Sequence, residues 1–356
     1  MEGGRALLTG FPGFIGRRLA ERLIADGAAL TALVEPRMVA AAREAAPEGL
    51  ELLEGDITER RLGLADPNWE RLTAEVTGVF HLAAIYDLAV PIEIAQRVNV
   101  DGTGNVLELC AACERLERLN YVSTAYVAGL RTGIVYEHEL VLGQGFKNHY
   151  ESTKFQAEVW VREAMDRVAT TIYRPAIVVG DSRSGETQKF DGPYYMLRVV
   201  SAAERRGLPI PQFGRAEAPF NVVPVDFVVD ALAAAGREPG AVGQTLHLVD
   251  PEPVTASELI RILSREYAGR EPAYRMPAGV VSALLRLRAV RRAFGGAPRE
   301  SIQYLNHPVR FDTRHTADVL ARAGLRVPRF EDYVGAMVRY FREHEEEPSY
   351  LPAGFQ

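Results

Sequence analysis

The chain has 356 residues, enough for one large domain or two modest ones around a substantial core. Apolar residues make up 47% and charged residues 25%, which excludes a disordered chain. A net charge of −6 gives solubility and excludes a general attraction to nucleic acid or anionic lipid.

The predicted elements alternate from the start. A strand is expected at Ala6–Thr9, a helix at Ile15–Asp26 and a strand at Ala29–Val34. A strand within a few residues of Met1 leaves no room for a signal peptide ahead of it. A helix near Met38–Ala45 follows, then strands at Leu50–Glu54 and Gly78–Leu82, and a long helix over Ile92–Leu116. Cys110 and Cys113 are expected on that helix as two packed, reduced thiols, too few for a disulfide framework. A fifth strand spans Arg118–Ser123, a helix spans Tyr150–Val168, and a strand spans Thr171–Arg174. Later strand pieces are read at Val178–Val179, Phe220–Val225 and Thr245–Val249. Strands separated by helices imply βαβ units and a parallel sheet with right-handed crossovers.

Past residue 180 the regularity breaks, and helices dominate from Ser257. The fold class is therefore α/β: a Rossmann doubly wound parallel sheet with a smaller, mainly helical C-terminal substrate lobe. Residues 1–179 make the dinucleotide-binding domain, completed by strands near 220–250. Residues 180–219 and 251–345 make the lobe, and 346–356 a tail. The stretch Tyr194, Tyr195, Met196, Leu197, Pro209, Ile210, Pro211 and Phe213 gives the lobe an apolar segment, equally well explained as core or as substrate pocket. Pro277–Arg292 reads as a lobe helix with snorkelling arginines. No apolar run is long enough to span a bilayer, and the histidines show no ligand spacing, so neither a transmembrane segment nor a metal is expected. A cytoplasmic location is expected.

Chemistry enters at the first turn. Gly10, Gly13 and Gly16, with Phe11, Pro12, Phe14 and Ile15 between them, follow the first strand and open the first helix. Glycines there allow a tight turn and close approach of a pyrophosphate to helix N–H groups. Glu35 ends the second strand, 19 residues past Gly16, where an acidic group bonds the adenosine ribose hydroxyls and favours NAD. Arg37 and Arg17 are the groups that would instead hold a 2′-phosphate and favour NADP. Asp56, with Ile57 beside it, is placed to bond adenine, and His81, Leu82 and Ala83 end the fourth strand beside the cofactor.

Tyr150 and Lys154 are four residues apart on a helix and so share a face. A lysine so placed is expected to lower the phenol pKa, letting Tyr150 act as general acid or base, and to hold the nicotinamide ribose. Thr124, at the end of the fifth strand, is assigned to the substrate carbonyl oxygen, with Ser123 as its structural neighbour. Asn99 is expected either to orient a water or brace the active-site helix, or equally to bond its own helix backbone.

These motifs together resemble the extended short-chain dehydrogenase/reductase family: T-G-F-P-G-F-I-G, G-D-I-T, H-L-A-A, N-V-D-G-T, V-S-T-A-Y-V, Y-E-S-T-K, Y-R-P-A-I-V-V-G and N-V-V-P-V-D. The resemblance implies that Gly10, Gly13 and Gly16 bind the dinucleotide and that Thr124, Tyr150 and Lys154 do the chemistry. It also implies that Pro175, Ala176, Ile177 and Val178 cup the nicotinamide amide. V-S-T-A-Y-V-A-G and K-F-Q-A-E are most similar to the thioester-reductase branch, which includes fatty acyl-CoA reductases. That branch implies NADPH as donor and an acyl thioester or aldehyde as acceptor, presented on CoA or an acyl carrier protein. Glu35, where those reductases typically carry a basic or neutral residue, argues for NAD. The resemblance further implies a homodimer through helices 92–116 and 150–168. Alternative readings are a hydroxyl or keto dehydrogenase, a nucleotide-sugar epimerase of the same family, and a non-enzymatic dinucleotide sensor.

Overall fold

The computed structural model describes residues 4–86, 90–212, 217–276, 280 and 299–350. Its centre is a seven-stranded, wholly parallel sheet in the order β11-β7-β5-β4-β1-β2-β3. The strands are β1 (Arg5–Thr9), β2 (Ala29–Val34), β3 (Leu50–Glu54), β4 (Val76–His81), β5 (Arg118–Val122), β7 (Thr170–Pro175) and β11 (Thr245–Leu248). Chain order reverses between β1 and β4, and a parallel α/β sheet offers its ligand crevice at that switch, beyond the C-terminal strand ends. Every residue of β4, β5 and β7 is buried, as a sheet covered on both faces requires.

The helices divide between the two faces. On one, Leu19, Ala20 and Leu23 of α1 (Phe14–Ala25) share a core with Val228 and Leu232 of α8 (Val225–Ala235). On the other, Leu72 of α3 (Asp66–Glu75), Val106 and Leu109 of α5 (Gly102–Ala112), and Ala157 and Val161 of α6 (His149–Ala164) pack together. The remaining helix of this half is α2 (Val39–Ala45). A separate apolar cluster joins α7 (Tyr194–Arg205), α9 (Ala256–Ala268) and α11 (Phe330–His344) through Leu197, Leu259, Leu263, Met337 and Phe341. Between them, α10 (Arg314–Arg322) contributes Val319 and Leu320 to the α1–α8 side. Short parallel pairs complete the chain: β6 (Gly133–Val135) with β13 (Val309–Phe311), β8 (Ile177–Val179) with β10 (Val222–Pro224), and β9 (Pro211–Gln212) with β12 (Tyr274–Arg275).

The structure departs from the sequence reading in several of its helices. The long helix over 92–116 is α4 (Ile92–Ala95), a π-helical turn at Gln96–Asp101, and then α5. It stops at Ala112 because Cys113 turns to extended backbone, so Cys110 is helical and Cys113 caps. Both are free thiols; burial pushes Cys113 up to about 11 and Cys110 further still. Helices α3, α7 and α8 were not anticipated; α8 is apolar on most sides, which hides the helical period. The Pro277–Arg292 helix and Phe213 lie outside the described residues, apart from Val280. Among the described residues no helix is long and apolar enough to cross a membrane.

Candidate active site

A cleft of about 1040 Å³ lies across the strand ends at the switch point. It begins at the β1–α1 turn. Gly10 has φ +92°, and a Cβ there would stand 2.8 Å from the Ala83 amide nitrogen and 2.9 Å from the Leu82 carbonyl carbon. Gly13 and Gly16 both press on the Gly10 carbonyl oxygen, where a Cβ would come within 2.8 and 2.5 Å. The Gly16 contact is therefore internal to the turn and lets Gly13 N–H close on Gly10 O at 2.9 Å. The first amides of α1, at Phe14, Ile15 and Gly16, precede the first i→i−4 bond, made by Arg17 N–H to Gly13 O. Those amides and the methyl-free cradle suit a pyrophosphate. Phe11, Pro12, Phe14 and Ile15 line the same end.

Glu35 and Arg37 line the adenosine end and pair with each other, Nε to Oε1 at 2.6 Å, both partly exposed. Arg17, by contrast, turns to Glu21 at 3.3 Å and does not line the cleft. Asp56 and Ile57 do line it; Asp56 Oδ1 accepts from Thr58 N–H at 2.8 Å, and Asn105 donates to the Ile57 carbonyl. Leu82 and Ala83 line it too, with Ala83 N–H donating to Thr9 Oγ1.

His81 does not. Side chains alternate along β4, and His81 is turned inward, 1% exposed, with Nδ1 2.7 Å from Thr9 Oγ1 and Nε2 3.1 Å from Thr103 Oγ1. Burial, helped by the charge of Lys154, brings its pKa down to about 3, so the ring is neutral. It ties β4 to β1 and α5, and its assignment to the cofactor is corrected.

The far end of the cleft holds Thr124, Tyr150 and Lys154. Asn148 caps α6, its Oδ1 accepting from Glu151 N–H at 3.0 Å, which fixes Tyr150 in the first turn and Lys154 one turn on. Thr124 follows β5 and caps the short helix Ala125–Ala128, accepting from Tyr126 N–H at 3.3 Å. Lys154 Nζ donates to the Val122 carbonyl at 2.8 Å and stands 4.5 Å from the Tyr121 ring centre. Burial lowers its pKa to about 7 despite the Glu158 charge.

The expected lowering of the phenol is not found. Burial pushes Tyr150 well above the ordinary tyrosine value, a hydrogen bond with Thr124 offsets part of this, and Glu151 adds to the rise. Lys154, itself desolvated and turned to Val122 O, does not supply the compensating charge. At neutral pH the phenol is a proton donor.

Asn99 sits in the π-helical turn and braces the site. Its Oδ1 accepts from Ile85 N–H at 2.8 Å, and its Nδ2 donates to Thr153 Oγ1 at 3.0 Å, linking α6 to the loop after β4. Tyr86, on that loop, meets Tyr150 edge-on with ring centres 5.1 Å apart. Pro175, Ala176, Ile177 and Val178 line the cleft as well. Of the apolar segment after residue 190, Tyr195 and Met196 line the cleft, whereas Tyr194 and Leu197 are buried in the helical core and Ile210 joins Val200 and Ala203.

Sequence reasoning missed the support beneath the site. Glu158, one turn past Lys154, accepts from Ser123 Oγ at 2.6 Å and from Arg174 at 2.6 Å. Both partners of the Glu158–Arg174 pair are essentially unexposed. Burial pushes the Glu158 carboxyl up, but the charges and hydrogen bonds of Arg174, Arg162 and Ser123 outweigh it and hold it below the usual range. The signal was the spacing of Glu158 from Lys154 on one helix face. Lys147 and Glu151 form a second buried pair, 3.2 Å apart, with Tyr304 donating to the same carboxylate at 2.8 Å.

A doubly wound sheet, a glycine cradle at its switch point and a helical Tyr-Lys pair define an NAD(P)-dependent oxidoreductase of the extended short-chain dehydrogenase/reductase type, and the proteins it resembles point to the thioester-reductase branch. Residues 8–232 match the male sterility protein family of NAD-binding proteins, and the chain belongs to that family. It is 27% identical over 271 residues to a carboxylic acid reductase of Segniliparus rugosus, covering 65% of this chain and 23% of that protein. It is 26% identical over 365 residues to a non-canonical nonribosomal peptide synthetase of a Cladobotryum species, covering 91% of this chain and 35% of that one. The chain thus spans about a quarter to a third of the length of these relatives. Among solved structures, the terminal R domain of the myxalamid PKS-NRPS biosynthetic pathway superposes with a TM-score of 0.81 at 25% identity. That match covers 98% of this chain and 92% of the other.

Proposed function

We propose that this chain reduces an acyl thioester, carried on CoA or on an acyl carrier protein, or the derived aldehyde, with Thr124, Tyr150 and Lys154 as its catalytic residues. The observation that carries the reading is one continuous cleft, from the Gly10–Gly16 cradle to the Thr124–Tyr150–Lys154 cluster. The relatives support it, being carboxylic acid reductases and peptide synthetases by name.

A nicotinamide held at this end of the cleft would supply the hydride for the carbonyl carbon. Tyr150, held protonated by burial, donates its phenolic proton to the carbonyl oxygen, and Thr124 donates a hydrogen bond to that oxygen as its charge develops. Lys154, held by the Val122 carbonyl one turn past Tyr150, would bond the nicotinamide ribose. With a thioester, the hydroxyl proton of the resulting hemithioacetal returns to the Tyr150 phenolate as the C–S bond breaks, and the thiolate leaves and takes a proton from solvent, giving an aldehyde. Pro175–Val178 hold the nicotinamide end, and Asp56 and Ile57 the adenine. The helical cluster of α7, α9 and α11 is assigned to the substrate.

For the cofactor, we infer a preference for NADH. A carboxylate at the end of β2 accepts from both ribose hydroxyls, whereas a 2′-phosphate there meets like charge; Arg37 is already engaged by Glu35, and Arg17 by Glu21. The test is oxidation of NADH and NADPH with acyl-CoA and aldehyde panels, with conversion of UDP-sugars followed separately by chromatography of the sugar nucleotides. Turnover of UDP-sugars alone would move the assignment to an epimerase, and cofactor binding without any turnover would move it to a sensor.

A further inference from the structure

Two acidic groups that line the cleft, Glu93 and Asp191, are not used by the proposed chemistry; Glu93 is exposed to solvent, and Asp191 is not. Asp191 lines the cleft near the catalytic end, beside Tyr195 and Met196. Its side chain is 19% exposed, and its ion pair is a loose one, to the Lys189 ammonium at 4.0 Å on a side chain 60% exposed. The backbone fixes its place: Asp191 O accepts from Tyr194 N–H at the start of α7. A Cβ on the next residue, Gly192, would stand 2.9 Å from Ile177 Cγ2, so the turn lies against the wall formed by Pro175–Val178. Tyr86, the ring that meets Tyr150, also lines the cleft; burial first, and then the charge of Asp191, push the Tyr86 phenol up. A carboxylate in so enclosed a place is costly unless a donor comes to it, and burial raises its pKa to about 6.

We propose that Asp191 is a specificity-determining residue, accepting a charge-assisted hydrogen bond from a protonated amine on the acyl group, a few bonds from the carbonyl that is reduced. This rests on the thioester-reductase reading above. An aminoacyl thioester would place its ammonium against Asp191 while its carbonyl meets Thr124 and Tyr150. A purely aliphatic acyl chain would leave the carboxylate without its donor.

The experiment compares β-alanyl-CoA with butyryl-CoA, which differ by an ammonium in place of a methyl, on the full chain and on Asp191→Asn and Asp191→Leu. The wild type should favour β-alanyl-CoA by about tenfold or more in kcat/KM, the size of one charge-assisted hydrogen bond. Both variants should bring the ratio to roughly one or below, with NADH affinity unchanged. A wild-type ratio of one, or a ratio that survives in both variants, overturns the proposal. Titration calorimetry of the same two thioesters separates the failure of this inference from that of the function. If neither thioester is turned over but β-alanyl-CoA still binds more tightly in an Asp191-dependent way, the reductase reading falls and the amine site stands.

Discussion

Replacing Gly10 with alanine puts a methyl group where the structure has no room. Two costs arise, and a second glycine separates them. Gly10 has φ +92° and Gly27 φ +83°, so alanine at either pays the strain of left-handed backbone, about 1–2 kcal/mol. At Gly27 nothing lies within 4 Å of the new Cβ. At Gly10 the Cβ meets backbone on two sides, at 2.8 and 2.9 Å, and neither Ala83 N nor Leu82 C can move without dragging the end of β4. The turn must shift, and the N–H groups of α1 shift with it. Losing two of those phosphate contacts at about 1.5–3 kcal/mol each predicts a fall in dinucleotide affinity of roughly 100-fold or more. Gly27→Ala should melt lower than wild type yet bind with unchanged Kd. The assay is quenching of tryptophan fluorescence on cofactor titration, with thermal melts in parallel. Wild-type affinity in Gly10→Ala would refute the cradle argument, and a matching loss in Gly27→Ala would show that strain alone explains it.

Other expectations follow from the same geometry. Glu35→Arg should tighten NADPH and weaken NADH, measured by paired titrations; unchanged affinities would remove Glu35 from the ribose site. Glu158→Gln strips Arg174 of its buried counter-charge and should cost about 3–5 kcal/mol in urea unfolding, whereas a loss below about 1 kcal/mol would mean that the remaining bonds of Arg174 suffice. With Lys154 titrating near 7, its ammonium is present below that pH and lost above it, so kcat/KM for reduction should fall as pH rises through about 7. His81, at about 3, is neutral throughout that range and does not contribute. Lys154→Met should flatten the limb; a limb that persists in the variant belongs to another group.

Much of the sheet and the glycine turn were legible because each carries a local signature. Buried strands read as short apolar runs, and a turn that must hold positive φ beside a helix start selects glycine. The pair Tyr150 and Lys154 was legible from helical spacing, and Thr124 from its place at a strand end. What stayed hidden depends on distant partners. The inward turn of His81 follows from which face of β4 meets α5, and nothing within H-L-A-A fixes that. The direction of the Tyr150 shift is set by burial summed over several elements. The ion pair of Glu158 and Arg174 joins residues on α6 and β7, and only the packing of those elements brings their charges together.

The central claim is tested most directly by following NADH consumption with acyl-CoA substrates in the wild type and in Tyr150→Phe, at matched cofactor saturation. The account predicts thioester-dependent consumption with release of free thiol. It also predicts a fall in kcat of roughly 100- to 10,000-fold in the variant, with cofactor Kd nearly unchanged. Wild-type rates in Tyr150→Phe, or consumption without thiol release or aldehyde reduction, would contradict it.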